Sequence, residues 1–161
     1  MAKTDEHPIT QAIRVLREHQ VSFTAHLYDY VDRGGTKHSA AMLGVEEHCV
    51  IKTIVLEDDQ KQPLICLQHG DYEVSTKNLA RARGCKSIRP CSPDTANRHT
   101  GYMVGGTSPF GTRKTLPVYM QRSIEELPMI YINGGKRGFL IGLTPSDLRR
   151  VLQPILVDAA A

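Results

Sequence analysis

Residues Thr100 to Gly111, Thr-Gly-Tyr-Met-Val-Gly-Gly-Thr-Ser-Pro-Phe-Gly, set the strongest limit on how this chain folds. Four glycines and a proline within twelve residues leave no room for an ordinary helix or strand, so a built loop must join the apolar segments on either side. Gly101, Gly105, Gly106 and Gly111 admit left-handed backbone angles or a close approach, and Pro109 pushes Ser108 away from helical angles. A loop of this composition presents free N–H groups. Turned toward one point, they make a concavity suited to a phosphate, a carboxylate or the charge that develops in ester hydrolysis. A surface turn with no ligand has the same composition, and glycine content alone leaves the two readings even.

The rest of the chain reads as one domain. With 161 residues, 40% of them hydrophobic, it can bury a real core, and no shift in composition, repeat or low-complexity stretch divides it. A net charge of +3 is too small for a protein that coats nucleic acid by charge alone, yet it permits a local phosphate-facing patch. Basic residues gather at Arg81, Arg83, Lys86 and Arg89, at Arg113 and Lys114, and at Lys136 and Arg137; each group also fits an ordinary solvated face. The four cysteines form no Cys-x-x-Cys pair and the seven histidines no paired metal spacing, so reduced thiols, no metal and no cofactor are expected. With no apolar run near eighteen residues and no signal or lipidation motif, the sequence predicts no membrane contact and a cytoplasmic protein.

Apolar residues at spacings of three and four from Ile9 to Leu16 predict an amphipathic helix, and the alternation from Ser22 to Tyr30 a strand with His26 and Tyr28 on one face. A loop at Gly34-Gly35 with the character of a lid, a helix from Lys37 to Leu43 closed by Gly44, and a hairpin of Val50–Leu56 with Pro63–His69 follow. Ser75, Ser92 and Thr144 are N-caps, the last two with proline next. Lys86–Arg89, Leu116–Met120, Met129–Ile132 and Phe139–Leu143 read as strands, Ser123–Leu127 as a short helix, 133–138 as a tight turn, and the tail from Pro154 as loosely held. Short helices scattered among hairpin-like strands favour an α+β fold over regular βαβ alternation.

Lys52 is the charge that most needs explaining, because Val50, Ile51, Ile54, Val55 and Leu56 surround it. It either has a task or snorkels its amine to water, and the two readings weigh equally. Ser108 has no assignable histidine and carboxylate partners, so it is read as a binding hydroxyl and not as a nucleophile.

Three motifs in order, Val50-Ile51-Lys52-Thr53, Thr100 to Pro109, and Ile130-Tyr131-Ile132-Asn133-Gly134-Gly135-Lys136-Arg137-Gly138, resemble the YbaK/EbsC family of free-standing aminoacyl-tRNA deacylases, which is related to the editing domain of bacterial prolyl-tRNA synthetase. The resemblance runs from Ile9 through Leu152. It implies a single compact α+β domain with a mixed, partly closed sheet flanked by short helices, its core over about residues 8–153 of a 1–161 domain. The implied activity is trans-editing, the hydrolytic removal of a wrong amino acid from the 3′ end of tRNA, with tRNA(Pro) and prolyl-tRNA synthetase as the related partners. Lys52, Gly105 and Gly106 carry over as catalytic, with Lys52 on the terminal phosphate or the ester and the loop amides on the carbonyl or its oxyanion. Tyr28, Gly101, Thr107, Ser108, Pro109, Asn133, Gly134 and Gly135 carry over as substrate-binding. The family implies no protein nucleophile: water, a ribose hydroxyl or the substrate's own side chain attacks, with release of a thiolactone when the substrate is Cys-tRNA.

The chain departs from the Cys-tRNA deacylase branch at Asn133, where that branch has serine, at Leu140, where it has aspartate, and around Gly34–His38, which lacks an aromatic residue. Alanine, serine, threonine or a small non-protein amino acid is therefore as eligible as cysteine, and Asn133 is expected either to tune that choice or merely to support its turn. The rival function is a non-catalytic tRNA- or nucleotide-binding module associated with a synthetase.

Overall fold

The computed structural model describes residues 7–161. The Thr10 hydroxyl accepts from the Ile13 N–H and starts α1 (Gln11–Glu18), which buries Ala12, Ile13 and Leu16 on one face. After β1 (Thr24–Leu27), α2 (Gly35–Leu43) ends on Gly44 at φ +71°. β2 (Val50–Asp58) and β3 (Pro63–His69) pair antiparallel from Ile51 opposite His69 to Glu57 opposite Pro63. Asp58 organises their turn without an Asn-Gly pair: one carboxylate oxygen accepts the N–H groups of Gln60 and Gln62, both at 2.9 Å, and the other accepts from Arg83 at 3.1 Å.

Serine N-caps start α3 (Thr76–Arg83) and α4 (Pro93–Thr100), which flank β4 (Ile88–Pro90) and end on Gly84 and Gly101. Then come β5 (Val118–Gln121), a short 3-10 turn at Arg122–Glu126, β6 (Ile130–Lys136), β7 (Phe139–Leu143), α5 (Pro145–Leu152) capped by Thr144, and β8 (Ile155–Val157). The strands form one mixed sheet in the order β1-β7-β6-β2-β3-β5-β8, with β4 also paired to β2. β2–β6, β3–β5 and β5–β8 are parallel. This is the α+β architecture the sequence predicts.

Alternation along the strands sorts the core onto two faces. Ile51, Val55, Ile65 and Leu67 join Phe139 and Ile141 beneath α1 and α5, while Leu56, Leu64, Cys66 and Tyr119 pack beneath α3 with the chain end. A smaller group joins Ala40 of α2 to Val50 and Leu140 of the sheet. Among the described residues no helix is long and apolar enough to cross a membrane.

Two segments differ from their sequence reading. Asn133-Gly134-Gly135-Lys136 is not the start of a turn: β6 continues through it with a bulge between Asn133 and Lys136. The Asn133 Oδ1 accepts the N–H groups of Gly135 at 2.7 Å and Lys136 at 3.1 Å, which stabilises the bulge and confines the reversal to Arg137-Gly138. Nor is the tail loose. β8 pairs with β5, Ala159 is fully buried, and the Gln121 side chain accepts the Ala159 N–H at 2.8 Å.

Candidate functional site

The two edges of β2 are partnered differently. β3 pairs with one edge from Ile51 to Glu57. On the other, β6 pairs only at Val50 and Ile51 and β4 only from Leu56 to Asp58, so the strands part between them. A cavity of about 570 Å³ opens there, and Lys52, Thr53, Ile54 and Val55 form part of its wall. That volume suits a small-molecule or nucleotide-sized group. The Thr53 hydroxyl oxygen is buried with no hydrogen-bond partner. Buried hydroxyls are nearly always bonded, so an orphan in a cavity wall marks a place where a ligand group would complete the bonding.

The Lys52 side chain is mostly buried, 21% exposed. Its amine stands 3.5 Å from a Glu73 carboxylate that is itself 85% exposed, a pair of little strength that leaves the cation available to an anion.

The glycine-rich loop forms the facing wall through Val104, Gly105 and Thr107. Gly105 has φ +86°, and a Cβ there would stand 2.5 Å from the Tyr30 hydroxyl oxygen, so both conformation and space require glycine. Two hydrogen bonds pin the loop. Arg137 Nε donates to the Val104 carbonyl at 2.9 Å while its guanidinium lies over the Tyr30 ring at 5.2 Å, and Asn133 Nδ2 donates to the Gly105 carbonyl at 3.0 Å. The Gly106 N–H is committed to Met103 O at 2.8 Å, whereas the N–H groups of Gly105 and Thr107 have no acceptor among the described residues. Tyr28 also lines the cavity; burial pushes its phenol pKa up, and a bond with Ser39 opposes that shift.

The structure thus brings together Lys52, Gly105, Tyr28, Thr107 and Asn133 and places six other candidates outside the cavity wall. Gly106 seats the loop on the β6–β7 turn, where a Cβ would stand 2.8 Å from the Arg137 nitrogen. Gly101 closes α4 in the left-handed region. Ser108 is fully buried and its hydroxyl accepts the Phe110 N–H at 3.1 Å; Pro109 is buried beside it. At Gly134 a Cβ would meet the Phe139 ring at 2.6 Å, and at Gly135 the Tyr102 ring at 2.8 Å. Asn133 and Leu140, the two positions of departure noted above, face each other across β6 and β7, and both line the cavity.

Tyr30, Thr53, Arg137 and Cys91 belong to the site or its support and escape sequence reasoning. Thr53 sits inside the Val-Ile-Lys-Thr motif, and Arg137 inside Gly-Gly-Lys-Arg-Gly, so the motifs point at both without giving a role. Burial pushes the Cys91 thiol up to about 11, so at neutral pH it stands protonated beside the cavity and is a poor nucleophile.

Among the described residues, two groups of side chains have metal-ligand chemistry. In the first, His48, His69 and Asp71, both His69 nitrogens and His48 Nδ1 are engaged: His69 Nδ1 lies 2.8 Å from His48 O, its Nε2 2.7 Å from Ser123 Oγ, and His48 Nδ1 2.9 Å from Asp71. The two imidazoles stack at 3.7 Å, and burial pushes the His69 pKa down. The second group is Glu57, Cys91 and His99, behind the cavity wall.

Comparison with known proteins places this geometry in a family. The model of the aminoacyl-tRNA editing domain matches residues 35–151. A proposed Cys-tRNA(Pro)/Cys-tRNA(Cys) deacylase of Enterococcus faecalis, EbsC, is 30% identical over 92% of this chain and 91% of its own. A proline–tRNA ligase of Geobacter sp. is 30% identical over 67% of this chain, a match that spans only 17% of the ligase. Among solved structures, a proposed trans-editing enzyme for prolyl-tRNA synthetase superposes with a TM-score of 0.82 at 21% identity, over 96% of this chain and 99% of that one, and shares its fold.

Proposed function

This chain belongs to the aminoacyl-tRNA editing domain family, and on that premise we propose that it deacylates tRNA carrying a wrong small amino acid, with cysteine, alanine, serine and threonine on tRNA(Pro) as the substrates to test. One observation carries the reading: a weakly paired lysine and two loop residues with unpartnered backbone N–H groups line one cavity on the open edge of β2, with an orphan threonine hydroxyl buried in its wall. Each lacks what an aminoacylated 3′ end offers, namely phosphate and ester oxygens. The Gly105 and Thr107 amides polarise the ester carbonyl and stabilise its oxyanion, a contribution of about 2.7–4 kcal/mol for a well-placed donor. Lys52 holds the phosphate of the terminal nucleotide.

The attacking group comes from outside the protein. Water adds to the carbonyl carbon, the ribose oxygen leaves and takes up a proton, and the free amino acid and tRNA part. With Cys-tRNA the substrate's own thiolate makes the same displacement and a thiolactone leaves. Such a site accelerates by orientation and electrostatics. The kinship with a part of a proline–tRNA ligase supports tRNA(Pro), work beside prolyl-tRNA synthetase and a cytoplasmic setting.

The test is single-turnover deacylation of Cys-, Ala-, Ser- and Thr-tRNA(Pro). At least one should be cleared far faster than it hydrolyses alone; rates equal to spontaneous hydrolysis for all four would leave a tRNA-binding module without catalysis.

A further inference from the structure

Glu57 near the end of β2, Cys91 directly after β4 and His99 in the last turn of α4 converge behind the cavity wall formed by Pro90, Cys91 and Ala96. One ligand atom from each, a carboxylate oxygen, a sulfur and an imidazole nitrogen, lies within 4.8 Å of the others. His99 is only 9% exposed, yet neither of its ring nitrogens has a hydrogen-bond partner, and its Nε2 stands 3.6 Å from the Glu57 carboxylate. Buried polar groups are rarely left unbonded. His69, fully buried, has both nitrogens bonded within the protein, so the orphan state of His99 is not a general feature of this chain's buried histidines.

We propose that Glu57, Cys91 and His99 form a binding site for a divalent transition-metal ion of the zinc class. The donor set is the reason for the class: thiolate and imidazole with one carboxylate suit zinc or cobalt, whereas magnesium and calcium take oxygen ligands. The spacing agrees. Ligands held 2.0–2.3 Å from a tetrahedral zinc lie roughly 3.3–3.8 Å apart. The 3.6 Å between His99 and Glu57 already falls there. The remaining separations, all within 4.8 Å, close by about 1 Å. Binding replaces the Cys91 S–H proton by the ion and releases that proton to solvent. Three protein ligands leave the fourth position of a tetrahedral ion for water or for a group from the cavity that Cys91 lines.

The experiment needs no tRNA, so its outcome is separate from that of the proposed deacylation. Chelator-treated full-length protein is titrated with Co(II) and then with Zn(II). One ion per chain, a thiolate-to-cobalt charge-transfer band that Zn(II) abolishes, and a rise in thermal midpoint with Zn(II) are expected. Cys91→Ser should remove the band and His99→Gln should weaken cobalt binding at least tenfold, while Cys49→Ser and Cys85→Ser leave it intact. Should Cys91→Ser fail to fold, protection of Cys91 from alkylation by Zn(II) in the wild-type protein, read by peptide mass, gives the same answer. No stoichiometric band and no protection, or a band that survives in folded Cys91→Ser, would overturn the proposal.

Discussion

On the β3 side of β2, pairing is continuous from Ile51 to Glu57 and binds the strand into the sheet. On the other side β6 stops at Ile51, β4 begins at Leu56, and the residues between them border a cavity. One strand thus serves as scaffold along one edge and as site along the other. The candidate groups of the site line the cavity at this interruption, and the residues that hold it open matter as much as those that would touch a substrate.

The comparison breaks most sharply at Gly105. A side chain there collides with Tyr30 and strains a backbone at φ +86°, so Gly105→Val should close the open edge and lower deacylation about a hundredfold or more. The thermal midpoint measured beside the rate separates lost chemistry from lost fold; near-wild-type turnover in a folded variant would remove the loop from the site. Lys52→Ala should lower the rate ten- to a hundredfold, about 1.5–3 kcal/mol for a charge-assisted bond, with little change in stability because its Glu73 partner is exposed. Lys52→Arg should rescue only in part, since the guanidinium is larger and planar.

Thr53→Val sharpens the contrast in a way that no substitution on the β3 side can. Replacing an unpaired buried hydroxyl with a methyl should leave the thermal midpoint unchanged or raise it, while losing roughly 1 kcal/mol of substrate interaction, a rate drop of about fivefold. A loss of stability without loss of rate would mean that the hydroxyl serves the fold. Asn133→Ala should act alike on all four substrates, through the loop and the bulge that its side chain holds. Both its oxygen's contacts and one of its N–H groups are already spent on Gly135, Lys136 and Gly105. A changed substrate ranking would instead assign its remaining N–H to the aminoacyl group.

The smallest effect concerns the scaffold side. Burial holds the His69 pKa below its ordinary 6.5, so the unfolded chain takes up a proton before the folded one as pH falls through that value. Stability should therefore be greatest above about pH 6.5 and decline below it, levelling off under the folded pKa. His69→Gln should flatten thermal midpoint against pH between neutrality and pH 5; an unchanged slope would place the titration elsewhere.

Local chemistry made much of this legible from sequence. Ser75, Ser92 and Thr144 cap helices, the α1 stripe is buried, and the apolar runs around Lys52 and Cys66 pair as a hairpin. Features set by distant partners were hidden. Asn133-Gly134-Gly135 has the composition of a turn, yet it pairs with β7 as a bulged strand held by the Asn133 side chain, and Phe139 and Tyr102 leave no room for a Cβ at its glycines. Ile155–Val157 follows a proline near the chain end, yet β5 supplies an edge for it. Ser108 resembles a site hydroxyl, but it is buried in the loop's own hydrogen bonding. The Thr53 orphan depends on which distant groups fail to reach its hydroxyl, and no window of sequence around Thr53 encodes a missing neighbour.

The most direct test is amide chemical-shift mapping with a non-hydrolysable 3′-aminoacyl-adenosine analogue in which an amide replaces the ester. Binding at the open edge should shift the amides of Thr53, Gly105 and Thr107 and spare those of Gln68 and His69 in β3. Shifts confined to the His48–His69 side, or none at saturating analogue, would contradict the account.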